Sequence, residues 1–204
     1  MCNRYRRAMT LGEIDVGFTE ISDIRIPLRF PEGRPNLQAT DICITDTGTI
    51  IRADGDGAPE LVQRRWSWPG PTGKPVFNYR SDGREFPQGR CLIVADGFYE
   101  YTASSTEKGR KDRWLFTKAG EPWFCIAGLW RNQAPVGEAF TMLTTEPGPD
   151  MAPYHGRQVA VLDRSHWRAW LDHKVPAKDL IGPLPAGSLE VLAVGSGLFQ
   201  TPVL

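Results

Sequence analysis

The strongest constraint on this chain is its punctuation. Short alternating apolar runs recur along it, cut by turns rich in Gly, Asp and Pro. Strands are predicted at Asp41–Thr45, Thr49–Ala53, Leu61–Trp68, Cys91–Tyr101, Arg113–Lys118, Trp123–Trp130, Ala139–Thr145, Gln158–Leu162 and Leu189–Val194. Asp46-Thr47-Gly48, Asp54-Gly55-Asp56-Gly57 and Ala119-Gly120-Glu121-Pro122 supply turns between them. Helical signals are few. Thr10-Leu11-Gly12-Glu13 has capping-box spacing and predicts a short helix to about Ile21. Ser165 is the expected cap of a second, His166 to His173, with Trp167, Trp170 and Leu171 on one face and Pro176 as its stop, and Ala177 to Ile181 can add one further turn. Many strands with few helices predict an α+β domain, mainly antiparallel, with a curled or barrel-like sheet.

The 204 residues are read as a single domain, 1–204, with enough apolar material, 41%, to bury a core without disulfides. No apolar run approaches the ~18–20 residues of a membrane span, and the start leads into no signal-peptide core. A cytoplasmic protein without membrane association is expected, and a monomer. The 24 basic and 24 acidic residues cancel, which excludes bulk electrostatic coating of nucleic acid. A local surplus does exist: ten Lys/Arg face six acids between Leu61 and Arg113. Pro69 to Asp82 is too rich in Pro and Gly for a central strand and reads as an ordered surface loop.

Of four cysteines, Cys43, Cys91 and Cys125 sit in apolar alternating runs and are expected in the core. None has metal-site spacing, and neither a metal nor an organic cofactor is indicated. Cys2 differs, lying beside charge directly after the initiator Met. Removal of Met1 leaves an amine (pKa ~7.7–8.0) and a thiol (~8.5) on adjacent carbons. Such a 1,2-aminothiol condenses with an aldehyde to an imine, which the thiolate closes to a thiazolidine. An incidental residue on a frayed terminus is the plainer reading.

Three further groups carry chemistry. In Val94-Ala95-Asp96-Gly97-Phe98-Tyr99-Glu100-Tyr101, a regular strand puts Asp96, Phe98 and Glu100 on one face, and a carboxyl among aromatics tends toward a raised pKa. Solvated acids on an outer face are the alternative. Pro153-Tyr154-His155-Gly156-Arg157 sets a loop His between strands, suited to proton transfer or phosphate binding, or simply structural. His166 and His173 read as surface or cap residues. Finally, Phe77-Asn78-Tyr79-Arg80 follows Trp66 and Trp68, and exposed aromatics beside Arg suit single-strand recognition, with core packing as the alternative.

In order along the chain, Met1-Cys2-Asn3-Arg4-Tyr5, Asn78-Tyr79-Arg80, Ala95-Asp96-Gly97-Phe98-Tyr99-Glu100 and His155-Gly156-Arg157 resemble the SOS-response-associated peptidase (SRAP) family, over about residues 1–195. The resemblance implies covalent capture of abasic sites in single-stranded DNA through Cys2, after Cys2 has released Met1, shielding the lesion in the damage response. It implies that Asn78 orients the terminal cysteine, Glu100 is the acid/base and His155 shuttles a proton during sugar ring opening. Arg4, Arg80 and Arg157 would hold phosphates, Trp66 and Trp68 would stack on the strand, and Asn36 would line the site. Bound to DNA, the protein would sit on the nucleoid. Departures from the family are Asn3 in place of Gly, Ser81-Asp82-Gly83 where a helix normally begins, Gln158-Val159 for Met-Pro, and Gly195-Ser196-Gly197-Leu198-Phe199 for a polar, Asn-rich stretch. A module of this fold that binds without crosslinking remains open as an alternative. So, further off, do an N-terminal-nucleophile amidohydrolase and a papain-like peptidase, although the oxyanion-hole Asn-Gly of the former and a suitable internal Cys for the latter are not found.

Overall fold

A computed structural model describes residues 2–20, 26–104 and 111–196. In chain order its elements are β1 (Arg4–Arg7), α1 (Leu11–Thr19), β2 (Thr40–Cys43), β3 (Thr47–Ala53), β4 (Pro59–Trp66), β5 (Trp68–Pro69), β6 (Pro75–Val76), β7 (Asn78–Arg80), β8 (Arg90–Ala95), β9 (Gly97–Thr102), β10 (Asp112–Lys118), β11 (Phe124–Gln133), β12 (Gly137–Thr145), β13 (Gln158–Val159), β14 (Val161–Leu162), α2 (Trp167–Asp172) and β15 (Leu189–Ser196). The fold is α+β and barrel-like, as the strand pattern predicts. One sheet runs β15-β10-β9-β1-β2, and a second runs β13-β12-β4-β3-β8-β11-β14, with β7 added beside β12. Pairing is antiparallel except that β12 runs parallel to β4 and to β7.

All six residues of β8 are buried, because the second sheet is covered on both faces. Cys91, Ile93 and Ala95 join Tyr5, Trp66, Phe98, Phe116 and Phe140 between the sheets. Leu92 and Val94 face the other way, onto Ile14 and Phe18 of α1 and Trp167 and Trp170 of α2. Burial of such a side chain contributes roughly 1.5–3 kcal/mol. Helix α1 starts as predicted: Thr10 accepts from the Glu13 amide at 3.3 Å while Glu13 accepts from the Thr10 amide at 2.7 Å.

Several expectations are corrected. The predicted strand 91–101 is two strands, since the chain turns at Asp96 and passes from the second sheet to the first. Asp96 holds that corner by accepting from Arg6 Nε (2.9 Å) and the Ala8 amide (3.2 Å). It therefore does not share a strand face with Glu100. Gly97 keeps that corner close-packed: a Cβ would lie 2.7 Å from Leu115 Cδ1, which would have to move, and 3.2 Å from the Phe116 carbonyl oxygen. The strand expected to reach Trp68 breaks at Ser67, whose φ is +89°. The expected loop Pro69–Asp82 contains the β5–β6 hairpin and β7. Ser165 makes no capping bond: a 3-10 turn, Arg164–His166, leads into α2, and His173 at φ +60° ends it before Pro176 is reached. The extra turn is a 3-10 helix, Ala177–Asp179. Cys91 and Cys125 are in the core, but Cys43 is only half-buried. Residues 81–89 hold turns and no helix. No helix among the described residues is long and apolar enough to cross a membrane. Leu198 and Phe199 lie outside the described residues.

Candidate active site

The two sheets meet where the amino-terminal segment enters β1. Cys2 is 1% exposed and packs into the inter-sheet core, contrary to a terminus without hydrophobic context. Its thiol donates to the Arg4 carbonyl (3.1 Å), and its own carbonyl accepts from Asn78 Nδ2 (2.8 Å). Burial, with the Glu100 carboxylate nearby as a second cause, pushes the thiol up to about 12. It is therefore a neutral thiol near pH 7 and needs a base to react.

Glu100 is that neighbour. It sits on β9, opposite Trp114 of β10, and is 2% exposed. Burial raises its pKa, while the positive amino terminus and His155 act against the rise. A carboxyl so placed exchanges a proton nearer neutrality than a solvated one does. Asn78 comes from β7, held in register by Met142 of β12. Its Oδ1 is buried without a hydrogen-bond partner among the described residues.

His155 lies in the turn after Met151. Tyr154 fastens this turn to β10 with ring contacts to Trp114 (4.8 Å) and Phe116 (5.2 Å). Trp114 is the residue paired with Glu100, so the turn is docked over the carboxyl's strand. The Arg157 amide donates to His155 Nδ1 at 2.9 Å. Arg157 is itself tied down: Nη2 donates to the Thr144 carbonyl (2.7 Å) and Nη1 pairs with Asp82 (2.7 Å). Thr144 O also accepts from the Ser81 amide (3.0 Å) and hydroxyl (2.9 Å). The segment 78–82 thus reaches Cys2 through Asn78 and His155 through Asp82 and Arg157.

Cys2, Asn78, Glu100 and His155 are brought together. The expected DNA-contacting residues divide. Arg80 and Asn36 are exposed, Asn36 bonding to Gln38 Nε2 (2.8 Å). Arg4 is partly exposed and 3.8 Å from Asp41. Of the two readings of the tryptophans, core packing is borne out and exposure for stacking is corrected. Trp66 has no exposed surface, donates Nε1–H to the Phe77 carbonyl (2.9 Å) and packs edge-on against Tyr5. Trp68 is 4% exposed beneath the Arg131 guanidinium. An apolar inter-sheet space demands large side chains, and Trp66 is one that fills it. Reading the sequence missed Asp82 and Tyr154. Asp82, just after the Asn78-Tyr79-Arg80 run, carried no signal of its distant partner; an aromatic directly before the loop histidine was a usable hint for Tyr154.

Fold and site define a class: barrel-like α+β proteins with a cysteine at the second position, buried against a carboxylate and an asparagine. The chain belongs to the SOS response associated peptidase (SRAP) family, which it matches over residues 1–200. It is similar to "Abasic site processing protein YoaM" of Bacillus subtilis (strain 168), 29% identical over 133 residues, covering 61% of this chain and 56% of that one. A second protein of that organism, "Abasic site processing protein YoqW", is 29% identical over 115 residues, covering 52% and 50%. The matches thus span only about half the length of these curated relatives. A crystal structure from Bordetella bronchiseptica shares the fold with a TM-score of 0.71 at 24% identity, over 95% of this chain and 100% of that one. One from Bacteroides thetaiotaomicron does so at 0.71 and 16%, over 95% and 92%.

Proposed function

We propose that this protein recognises abasic sites in single-stranded DNA and captures them covalently through Cys2, shielding the lesion. The observation that carries the reading is a buried cysteine at position 2, its carbonyl held by Asn78 and its thiol beside the buried carboxyl of Glu100. Family membership and the relatives' printed names support abasic-site processing as the setting for this chemistry.

Met1 leaves first. Glu100 takes the thiol proton, Sγ attacks the Met1 carbonyl carbon and the peptide C–N bond breaks as its nitrogen gains a proton. Water then hydrolyses the thioester to free methionine and regenerates the thiol. The abasic sugar opens when the C1′ hydroxyl gives up its proton and O4′ receives one, a transfer suited to His155. The Cys2 amine adds to the C1′ aldehyde and Glu100 protonates the departing hydroxyl, so one water leaves and an imine remains. Sγ adds to that imine carbon and the nitrogen takes a proton, closing a five-membered thiazolidine. Asn78 fixes the backbone of Cys2 throughout, and its unpartnered Oδ1 suits the liberated amine. Exposed Arg80 and partly exposed Arg4 are suited to the flanking phosphates.

The test is a denaturing gel of Met1-free protein, confirmed by mass spectrometry, with single-stranded DNA carrying one abasic site. A heat-stable shifted band is expected in wild type, absent in Cys2→Ala and slowed in Glu100→Ala. No band in the wild type overturns the crosslinking step and leaves a binder of the same fold.

A further inference from the structure

Apart from the Cys2 site, a cleft of about 830 Å3 opens where residues 81–89 form turns. Trp68, Tyr79 and Trp130 are among the residues that line it, together with the exposed Arg84 and Arg131. Its two acids are already committed to partners. Glu138 is paired with Arg52 (3.1 Å) and Arg64. Glu85 accepts from the Ala177 amide (2.8 Å) and lies 3.7 Å from Arg90. Arg84 and Arg131 have no carboxylate within 4.0 Å among the described residues, although both are exposed. Each instead lies over a ring: Arg84 5.0 Å above Tyr79, whose hydroxyl it also bonds (2.8 Å), and Arg131 4.2 Å above Trp68.

We infer that this cleft is a second nucleic-acid subsite, taking a nucleotide of an undamaged single strand. Two exposed guanidiniums without a carboxylate partner supply phosphate pairing, Arg84 through the nitrogens it does not give to the Tyr79 hydroxyl, and their planes, stacked on Tyr79 and Trp68, supply a surface for a base. A purely aliphatic or acidic ligand would use only half of this set. The volume falls within the range of small-ligand clefts and suits one nucleotide. Strand β7 connects the cleft to the site: Asn78 bonds Cys2, while its neighbour Tyr79, on the opposite face of the strand, walls the cleft. The inference rests on the reading of DNA as ligand, but it concerns residues that crosslinking does not use.

The test measures anisotropy of fluorescein-labelled oligothymidylate, without abasic sites, on the Cys2→Ala protein and on the same protein with Arg84→Ser and Arg131→Ser, at several salt concentrations. Both arginines are exposed, so the fold is expected to hold, and thermal melts check it. The expected result is a loss of affinity of at least about tenfold, with the log–log salt slope shallower by about 1.4 for two lost phosphate contacts. Arg131→Glu alone is expected to weaken binding further than Arg131→Ser. Unchanged affinity and slope in the double variant overturn the subsite. If the wild type forms no crosslink but the double substitution still costs affinity, the crosslinking reading falls and the subsite stands.

Discussion

Asp82 and Arg157 form an ion pair of 2.7 Å between the turn after β7 and the turn before β13, and the Arg157 amide donates to His155 Nδ1 at 2.9 Å. Arg157 spends Nη2 on Thr144 O and its amide on His155 Nδ1, so the pair holds the His155 turn in place. Asp82→Asn is expected to slow crosslinking at saturating DNA by about fivefold to tenfold, with DNA affinity within about twofold of wild type and partial recovery in Asp82→Glu. Because Asp82 is partly exposed, the stability loss should stay below about 1 kcal/mol. Tighter DNA binding with an unchanged rate would show instead that Asp82 competes with phosphate for Arg157.

Asn78 donates to the Cys2 carbonyl from a largely buried position. Asn78→Ala leaves that acceptor unpaired and is expected to cost about 1–3 kcal/mol in urea unfolding, together with most of the crosslinking rate. Asn78→Asp, which lacks the donor, should lose the rate as well. Full activity in either variant would remove Asn78 from the site.

Glu100 has its pKa raised chiefly by burial. In the proposed reaction its protonated form is the acid in imine formation, so the rate should fall as pH rises through that pKa, while deprotonation of the amine acts in the opposite sense. Glu100→Gln is expected to lower the rate by about 10²-fold and to abolish the alkaline limb. For stability, a raised carboxyl favours the folded state at pH below its unfolded pKa, and that advantage is lost as pH rises through the folded pKa. Glu100→Gln should therefore unfold at higher urea than wild type at pH 8, provided the fold is kept. A wild-type rate profile retained in the variant would refute the assignment.

The Cys2 thiol rises from 9.0 to about 12 on folding. Its contribution to stability is complete below pH 9 and is lost as pH rises toward 12. Unfolding free energy measured from pH 8 to 11 should decline less steeply in Cys2→Ala than in wild type. Parallel curves would mean that the thiol is not buried in solution.

Trp66→Ala removes a fully buried indole and its hydrogen bond, at an expected cost of about 3–5 kcal/mol. Trp66→Phe should restore much of that stability and crosslink at close to the wild-type rate. A folded Trp66→Phe protein that binds undamaged DNA many times more weakly would return Trp66 to the DNA surface.

What the sequence determined by itself was local. Alternation marked β8, Thr10 and Glu13 marked the start of α1, and Trp167, Trp170 and Leu171 marked the buried face of α2, since each pattern is complete within a few residues of chain. The reactive group at position 2 was legible because its chemistry follows from being next to Met1, and the ordered motifs named its companions. Tertiary structure decided which residues face which. Asp96 and Glu100 share a sequence motif, yet one corners the chain and the other faces Cys2, because the chain changes sheets between them. Trp66 and Trp68 lie within a polar, Arg-rich stretch that suggested exposure, but the inter-sheet space takes the first and Arg131 covers the second. Arg157 reads as a phosphate ligand from its place after the loop histidine, and only the fold shows that Asp82 lies against it. Pairings of that kind join residues far apart in the chain, and they depend on the order and register of strands, which local periodicity does not encode.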